Sequence, residues 1–231
     1  MTDLLNAITQ GDCIDIMAQI TDGSIDLLLT DPPYNVSMRS NFHTMGRKGV
    51  DFGEWDHDFD QTEWLRLACA KVRKGGSAIV WNDYKNIGVM KDVLESEGFT
   101  VKELLVWRKT NPMPRNRDRL YVTSLEVALW AVKGKGWTFN RQRETYENAI
   151  FEYPVVNHKK RIHPTQKPLE LFEDLLRIHS NEGDIVLDCF SGGGTTAEAC
   201  LRLNRNFIAI ELDEAFVESS NRRITNAKEA V

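Results

Sequence analysis

Short apolar segments with the length of buried strands alternate with segments of helical spacing along almost the whole sequence. Two of the clearest strands are SIDLLLT at 24–30 and NFIAI at 206–210. Such an alternation predicts an α/β fold with a doubly wound, mostly parallel sheet. The length of 231 residues suits one domain, 1–231. The predicted strands are 6–10, 24–30, 77–81, 100–107, 125–132, 184–188 and 206–210, and the predicted helices are 13–20, 62–73, 85–97, 168–179, 195–203 and 214–227.

The composition argues against several other classes of protein. About 42% of the residues are apolar, but no apolar run approaches the roughly 18 residues that a bilayer span needs, so no membrane segment is predicted. The first residues, MTDLL, lack the basic and apolar parts of a signal peptide. The four cysteines are scattered without a CxxC pair. We therefore predict neither a disulfide framework nor a metal site, and we expect a cytoplasmic protein.

Four acidic residues fall at the carboxyl ends of predicted strands. They are Asp12, Asp31, Asp188 and Glu211. Ligands of open parallel sheets bind at this edge. The sequence therefore predicts a ligand site to which all four acids contribute.

A glycine-rich turn, DCFSGGGTT, joins a predicted strand to a helix at 188–196. Glycines there let the backbone approach a ligand closely, and Glu211 at the end of the next strand is suited to accept hydrogen bonds from ribose hydroxyls. Gly192, Gly194 and Ala197 also match a dinucleotide fingerprint, which keeps a nucleotide-dependent oxidoreductase open. Asp188, just before the turn, suits a cationic ligand such as S-adenosylmethionine better than a pyrophosphate. A tight turn without a ligand is the remaining interpretation.

Three segments resemble the motifs of β-type amino-group DNA methyltransferases. LLLTDPPYNV at 27–36 looks like their catalytic motif, LDCFSGGGTT at 187–196 like their S-adenosylmethionine motif, and HPTQKP at 163–168 like the segment that precedes the latter. The catalytic motif comes first, which is the circularly permuted order of that type. The resemblance implies a Rossmann-like methyltransferase fold. NPMPRN at 111–116 and the strand that follows further resemble the GATC-type adenine methyltransferases of restriction-modification systems.

The DPPY turn supplies the groups that methylation of an exocyclic amine needs. The lone pair of such an amine is delocalised into the ring, so the nitrogen is a poor nucleophile. The carboxylate of Asp31 and the backbone carbonyl of Pro32 can accept its two N–H groups and free the lone pair. Tyr34 offers a face on which a flipped base stacks. Pro32 and Pro33 lack the N–H that a strand ladder needs, so the chain must turn there. The alternative is that the two prolines only end a strand and Tyr34 packs.

The resemblance implies S-adenosylmethionine as the methyl donor, S-adenosylhomocysteine as the product, and no metal. Asp12 and Cys13 would contact the cofactor adenine, Phe190 would flank the adenosyl group, and Thr165 and Lys167 would approach the methionine carboxylate. Structural roles remain open for several of these residues, such as helix capping for Asp12. The predicted cofactor set is Asp12, Cys13, Asp31, Thr165, Lys167, Asp188, Phe190, Ser191, Gly192, Gly194, Thr195, Thr196 and Glu211.

DNA binding is predicted in spite of a net charge of −5, because the basic residues cluster locally. The recognition insertions are expected at about 37–60, 108–119 and 133–163, where Lys and Arg would grip phosphates and Arg and Asn would read base edges. Any single one of these cations can equally be a solvated surface charge. The predicted DNA-binding residues are Arg39, Arg47, Lys48, Asn111, Arg115, Asn116, Arg117, Arg119, Arg141, Arg143, Lys159 and Lys160.

The function predicted from these features is site-specific methylation of the N6 amino group of adenine in DNA. DPPY resembles the adenine enzymes more than the cytosine-N4 enzymes, which more often carry SPPY. The cytosine-N4 reaction, an RNA substrate, an oxidoreductase and a DNA-binding subunit with a vestigial site are the alternatives. The resemblance also allows a homodimer and a restriction endonuclease partner in the same system.

Overall fold

The computed structural model describes residues 2–34, 59–159 and 161–229. A short 3-10 turn, Thr2–Leu4, precedes the first strand. The strands are β1 (Ala7–Gln10), β2 (Ile25–Thr30), β3 (Val72–Asn82), β4 (Phe99–Lys109), β5 (Leu125–Lys133), β6 (Ile150–Tyr153), β7 (Ile185–Asp188) and β8 (Asn206–Glu211). The helices are α1 (Cys13–Met17), α2 (Glu63–Lys71), α3 (Ile87–Ser96), α4 (Leu169–His179), α5 (Thr195–Arg202) and α6 (Glu214–Glu229).

The eight strands of the described chain form one sheet in the order β1-β8-β7-β2-β3-β5-β4-β6. β5 runs antiparallel to both of its neighbours, β3 and β4, and every other pairing is parallel. Seven strands therefore end at the same edge, and β5 alone begins there. The predicted doubly wound, mostly parallel sheet is confirmed.

Alternating side chains of the central strand β2 divide the core between the two faces of the sheet. Leu28 packs with buried residues of α1, α2 and α3, whereas Leu27 and Leu29 pack with those of α4, α5 and α6. All three leucines are fully buried. A strand covered on both faces reads as a continuous apolar run, which is why LLLT could be recognised in the sequence.

Two segments differ from the sequence prediction. Helix α2 ends at Lys71, and β3 continues through Gly75 and Gly76 instead of starting at 77. A Cβ on Gly76 would lie 2.8 Å from the Asp26 carbonyl oxygen, so the neighbouring strand approaches too closely for any other residue. Strand β6 was missed because it has four residues and lies in the polar segment expected to be irregular.

The described residues contain neither a membrane-spanning helix nor a metal-binding cluster, and their cysteines are unpaired. None of their helices combines the length and apolar character that a membrane crossing requires. No group of three His, Cys, Asp or Glu in these ranges could hold a metal ion. The four cysteines are buried free thiols.

Candidate active site

A cavity of about 890 Å³ lies at the sheet edge where the parallel strands end. Asp12, Asp31, Asp188 and Glu211, which follow or end four different strands, all line it. The structure therefore brings together the four acids that the sequence predicted at one edge. Of the other predicted catalytic and cofactor residues, all but Gly194 also line this cavity.

The catalytic turn is held at its carboxylate. Asp31 accepts a hydrogen bond from the Tyr34 hydroxyl at Oδ1 and pairs with the Lys167 ammonium, 2.5 Å away, at Oδ2. Lys167 Nζ also lies 3.1 Å from the Tyr34 hydroxyl oxygen. Burial raises the pKa of Asp31 and the Lys167 charge works against that rise. The result is a carboxylate in fixed orientation beside the cavity.

The carbonyl groups of the same turn differ in their partners. Pro33 O accepts from Gln61 Nε2 at 2.6 Å, and Tyr34 O accepts from Asn86 Nδ2 at 2.9 Å. No donor from the described part of the chain reaches the Pro32 carbonyl. Pro32 lines the cavity next to Asp31, which makes its carbonyl a candidate acceptor for a ligand there.

The glycine-rich turn is shaped by contacts on both of its sides. Gly192 (φ +49°) and Gly194 (φ +71°) have left-handed backbones. The Gly192 N–H donates to Glu211 Oε2 at 2.7 Å. On the other side, Ser220 of α6 donates to the Gly192 carbonyl at 2.7 Å, and a Cβ on Gly194 would lie 3.0 Å from Ser220 Cβ. Arg223, one turn further along α6, donates to the carbonyl of the middle glycine at 2.6 Å.

Asp188 joins the two turns through buried hydrogen bonds. It accepts from the hydroxyl of Thr30, the residue before Asp31, at 2.8 Å, and from the hydroxyl of Thr196 at 2.5 Å. The backbone N–H of Phe190 donates to it as well, at 3.1 Å. Burial raises its pKa to about 6. Thr196, for which a cofactor contact was expected, thus binds Asp188. Gly194 is the N-cap of α5, and no side chain of the described residues caps that helix.

The N-cap of α1 and a cluster of aromatic rings also line the cavity. Asp12 caps α1, accepting from a backbone N–H of its first turn, and still lines the cavity. Phe190 packs edge-to-face against Trp64 and Phe59, with ring centroids 4.9 and 5.5 Å apart. Burial raises the pKa of Cys13 to about 12, so its thiol is neutral. Both roles considered for Asp12 are therefore compatible with its position.

Two polar side chains have atoms suited to a ligand. Glu211 accepts the N–H groups of Gly192 and Asp213 and keeps further lone pairs on its two oxygens. Ser191 Oγ is buried beside the cavity and has no hydrogen-bond partner among the described residues. A buried hydroxyl without a partner is costly, which makes this atom a candidate ligand contact.

The HPTQKP segment lies against the catalytic turn. The Thr165 hydroxyl is 3.0 Å from His163 Nδ1, and burial lowers the pKa of His163 to about 4. The Lys167 ammonium lies between Asp31 and Glu126, 2.9 Å from Glu126 Oε2. Both Thr165 and Lys167 line the cavity, and their contact with a methionine carboxylate stays a prediction.

Sequence reasoning missed Glu126. Acids were sought where strands end, but β5 is reversed, so the beginning of this strand lies at the site edge. Lys109 at the end of β4 pairs with its other oxygen at 2.6 Å. The available signal was a single carboxylate inside the apolar segment LEVALWAV. Asn82, also missed, is buried and binds both Gln61 and Asn86, which hold the catalytic turn.

The predicted DNA-binding residues are distributed over several loops. Arg115, Asn116, Arg117 and Arg119 are exposed in the loop between β4 and β5, whose ends leave the site edge. The Asn111 side chain instead accepts from the backbone N–H of the residue at position 155. The exposed residues also include Arg141, Arg143 and Lys159. The remaining predicted residues lie outside the described ranges: Arg39, Arg47, Lys48 and Lys160.

Comparisons with known proteins agree with this architecture. The crystal structure of an M1.HpyAVI–SAM complex superposes with a TM-score of 0.75 and 36% sequence identity, covering 94% of this chain and 98% of that one. Type II methyltransferase M2.MboI from Moraxella bovis is 32% identical over 94% of this chain and 86% of its own. Type II methyltransferase M.HinfI from Haemophilus influenzae is 31% identical over 99% of this chain and 70% of its own.

The fold and the site together define an α/β methyltransferase of the S-adenosylmethionine-dependent class. Residues 25–222 match the N6_N4_Mtase family, described as DNA methylase. The chain belongs to this family of DNA methyltransferases. The family and the enzyme class predicted from the motifs are therefore confirmed.

Proposed function

We propose that this protein transfers a methyl group from S-adenosylmethionine to the N6 amino group of an adenine that has been flipped out of DNA. The observation that carries the proposal is the pair of acceptors in the catalytic turn. The Asp31 carboxylate is fixed by Tyr34 and Lys167. The Pro32 carbonyl has no donor from the described chain, whereas the next two carbonyls along the turn do. The turn thus presents two acceptors to one amine.

These acceptors define what the protein contributes to the reaction. Accepting both N–H groups draws the amino nitrogen toward tetrahedral geometry and directs its lone pair at the methyl donor. The N–C bond forms as the S–C bond breaks, and the amine loses one proton toward Asp31. A base inside a duplex cannot reach Asp31 at the sheet edge, so the target nucleotide must leave the stack.

The cavity suits the cofactor. Its volume of about 890 Å³ is at the upper end of the range of ligand pockets, which leaves room for cofactor and base together. The unpartnered Ser191 hydroxyl and the Glu211 carboxylate would hold the polar groups of the cofactor, and Phe190 would flank its adenosyl group. When bound, S-adenosylmethionine supplies an electrophilic methyl group on a sulfonium.

The choice of adenine is supported by the form of the catalytic turn, since DPPY resembles that of the adenine enzymes. The same acceptors serve cytosine N4, so that base is the second candidate. A dinucleotide oxidoreductase is disfavoured because Asp188 is buried at the turn where a pyrophosphate would sit. The exposed arginines between β4 and β5 support DNA as the partner, and a restriction endonuclease acting at the same sites belongs to this proposal.

The test is methyl transfer from labelled S-adenosylmethionine to unmethylated DNA, with the digested nucleosides resolved by mass spectrometry. We expect N6-methyldeoxyadenosine from the wild type and none from Asp31→Ala, which should still bind cofactor. Asp92→Ala, an exposed aspartate of α3, is the control and should act like the wild type. N4-methylcytosine would overturn the choice of base, and loss of cofactor binding in Asp31→Ala would contradict the role given to Asp31.

A further inference from the structure

Four charged side chains form a continuous row, and the first three of them line the cavity. Asp31 pairs with Lys167, Lys167 with Glu126, and Glu126 with Lys109, at 2.5, 2.9 and 2.6 Å. The row is shielded from solvent, since the exposed side-chain fractions are 19%, 4%, 22% and 14% in the same order from Asp31 to Lys109. The charges alternate in sign and sum to zero.

Lys167 needs its second carboxylate if Asp31 is to act on an amine. An ammonium in contact with Asp31 alone would hold that carboxylate as a closed ion pair and weaken it as a hydrogen-bond acceptor. Burial opposes the charge on Lys167, but Asp31 and Glu126 together raise its pKa, so it stays protonated. Although burial alone would raise the pKa of Glu126, Lys167 and Lys109 lower it, so it stays ionised.

We propose that Glu126 is a positioning residue for methyl transfer, which holds Lys167 and shares its charge so that the Asp31 carboxylate remains a correctly aimed hydrogen-bond acceptor. The inference rests on the proposed function of Asp31. It adds a residue of the reversed strand β5, which acts on Asp31 through Lys167. When the amine releases its proton toward Asp31, the total charge of the row rises from zero to one. Without the negative charge of Glu126 it would rise from one to two.

Other charged groups around Asp31 are part of the same balance. Asp188 on β7 adds a like charge, the Tyr34 hydroxyl donates to Asp31, and Asp83 after β3 acts on Tyr34. Asp188 and Asp83 keep their charges in a variant at position 126 or 109, whereas Glu126 also raises the pKa of Tyr34, which stays protonated and keeps its hydrogen bond to Asp31 in either case. Differences from the wild type can therefore be assigned to the row itself.

The experiment measures single-turnover methyl transfer across pH for two variants whose charge changes are opposite. Glu126→Gln removes a negative charge, so the pKa of Asp31 falls and the acid limb of the pH–rate profile should move to lower pH. The plateau rate should drop roughly tenfold or more, because Lys167 then pairs more tightly with Asp31. Lys109→Gln removes a positive charge, and its acid limb should move to higher pH. The KM for cofactor should change by less than about twofold in both.

A matched control and a second background separate this role from a structural one. Glu95→Gln removes the carboxylate of the exposed ion pair between Lys91 and Glu95 on α3. It should leave the rate of methyl transfer and its pH profile unchanged. In Lys167→Met, adding Glu126→Gln should have much less effect than it has in the wild type. The inference is overturned if the acid limbs of the two variants do not move, or if they move in the same direction. If Glu126→Gln does not fold, the direction of the shift in Lys109→Gln decides the question. A wild type without methyl transfer would instead reject the proposed function.

Discussion

Gly194 tests whether the cofactor turn is shaped by its packing on α6. Its φ of +71° is left-handed, and a Cβ would lie 3.0 Å from Ser220 Cβ. The left-handed backbone costs an alanine about 1–2 kcal/mol. Forcing Ser220 away adds about 1–3 kcal/mol, the usual cost of overpacking. We therefore expect Gly194→Ala to lower the free energy of unfolding by about 2–5 kcal/mol.

Gly183→Ala is the matched control for the backbone term. Gly183 has a similar φ of +83°, but no heavy atom lies within 4 Å of a Cβ placed there. This variant should lose only about 1–2 kcal/mol. The difference between the two variants then measures the contact with Ser220.

Urea unfolding followed by circular dichroism gives the stabilities, and isothermal titration with S-adenosylmethionine gives the second readout. Ser220 also donates to the Gly192 carbonyl, so displacing it moves the turn. We expect Gly194→Ala to weaken cofactor binding and Gly183→Ala to leave it unchanged. Equal stability losses with unchanged binding in both variants would refute the reasoning.

Two further predictions concern Glu211 and His179. Glu211→Ala should raise the cofactor dissociation constant about 10-fold or more, because a charged hydrogen-bond acceptor worth about 1.5–3 kcal/mol is lost. An unchanged dissociation constant in a calorimetric titration would show that Glu211 does not bind the ribose hydroxyls. Burial lowers the pKa of His179 from 6.5 to about 3, so the stability that this group contributes is complete above pH 6.5 and is lost as the pH falls toward 3. His179→Leu should therefore show a smaller loss of urea midpoint between pH 7 and 5 than the wild type, and equal losses would contradict this.

The sequence predicted most of the fold because most of its strands are buried and therefore easily recognised. Buried parallel strands such as 24–30 and 206–210 read as apolar runs, and the two prolines after the first of them mark its turn. Strand β6 was missed because its position depends on pairing with β4, a contact between distant parts of the chain. The start of β3 was misplaced because two glycines normally indicate a turn, whereas here Gly76 permits close approach of β2 and Gly75 lies against the Lys135 carbonyl.

Site residues could be predicted from the sequence where an acidic residue stands at the end of an apolar strand. Asp31 and Asp188 follow or end parallel strands, and that rule placed both at the cavity. Glu126 escaped the rule because strand direction cannot be read from an apolar run. Ser220 was out of reach for another reason, since its partner in the glycine turn is known only from the packing of α6.

The central position of β2 has a consequence for synthesis of the protein on the ribosome. β2 is paired with β7 on one side, and β1 is paired with β8, yet both partners come from the last quarter of the chain. Until those residues emerge, the nascent chain carries an apolar strand with an open edge, the kind of surface that chaperones bind and that aggregates form on. The hydrogen bond between Thr30 and Asp188 spans 158 residues, so closure of the active site is among the latest events of folding.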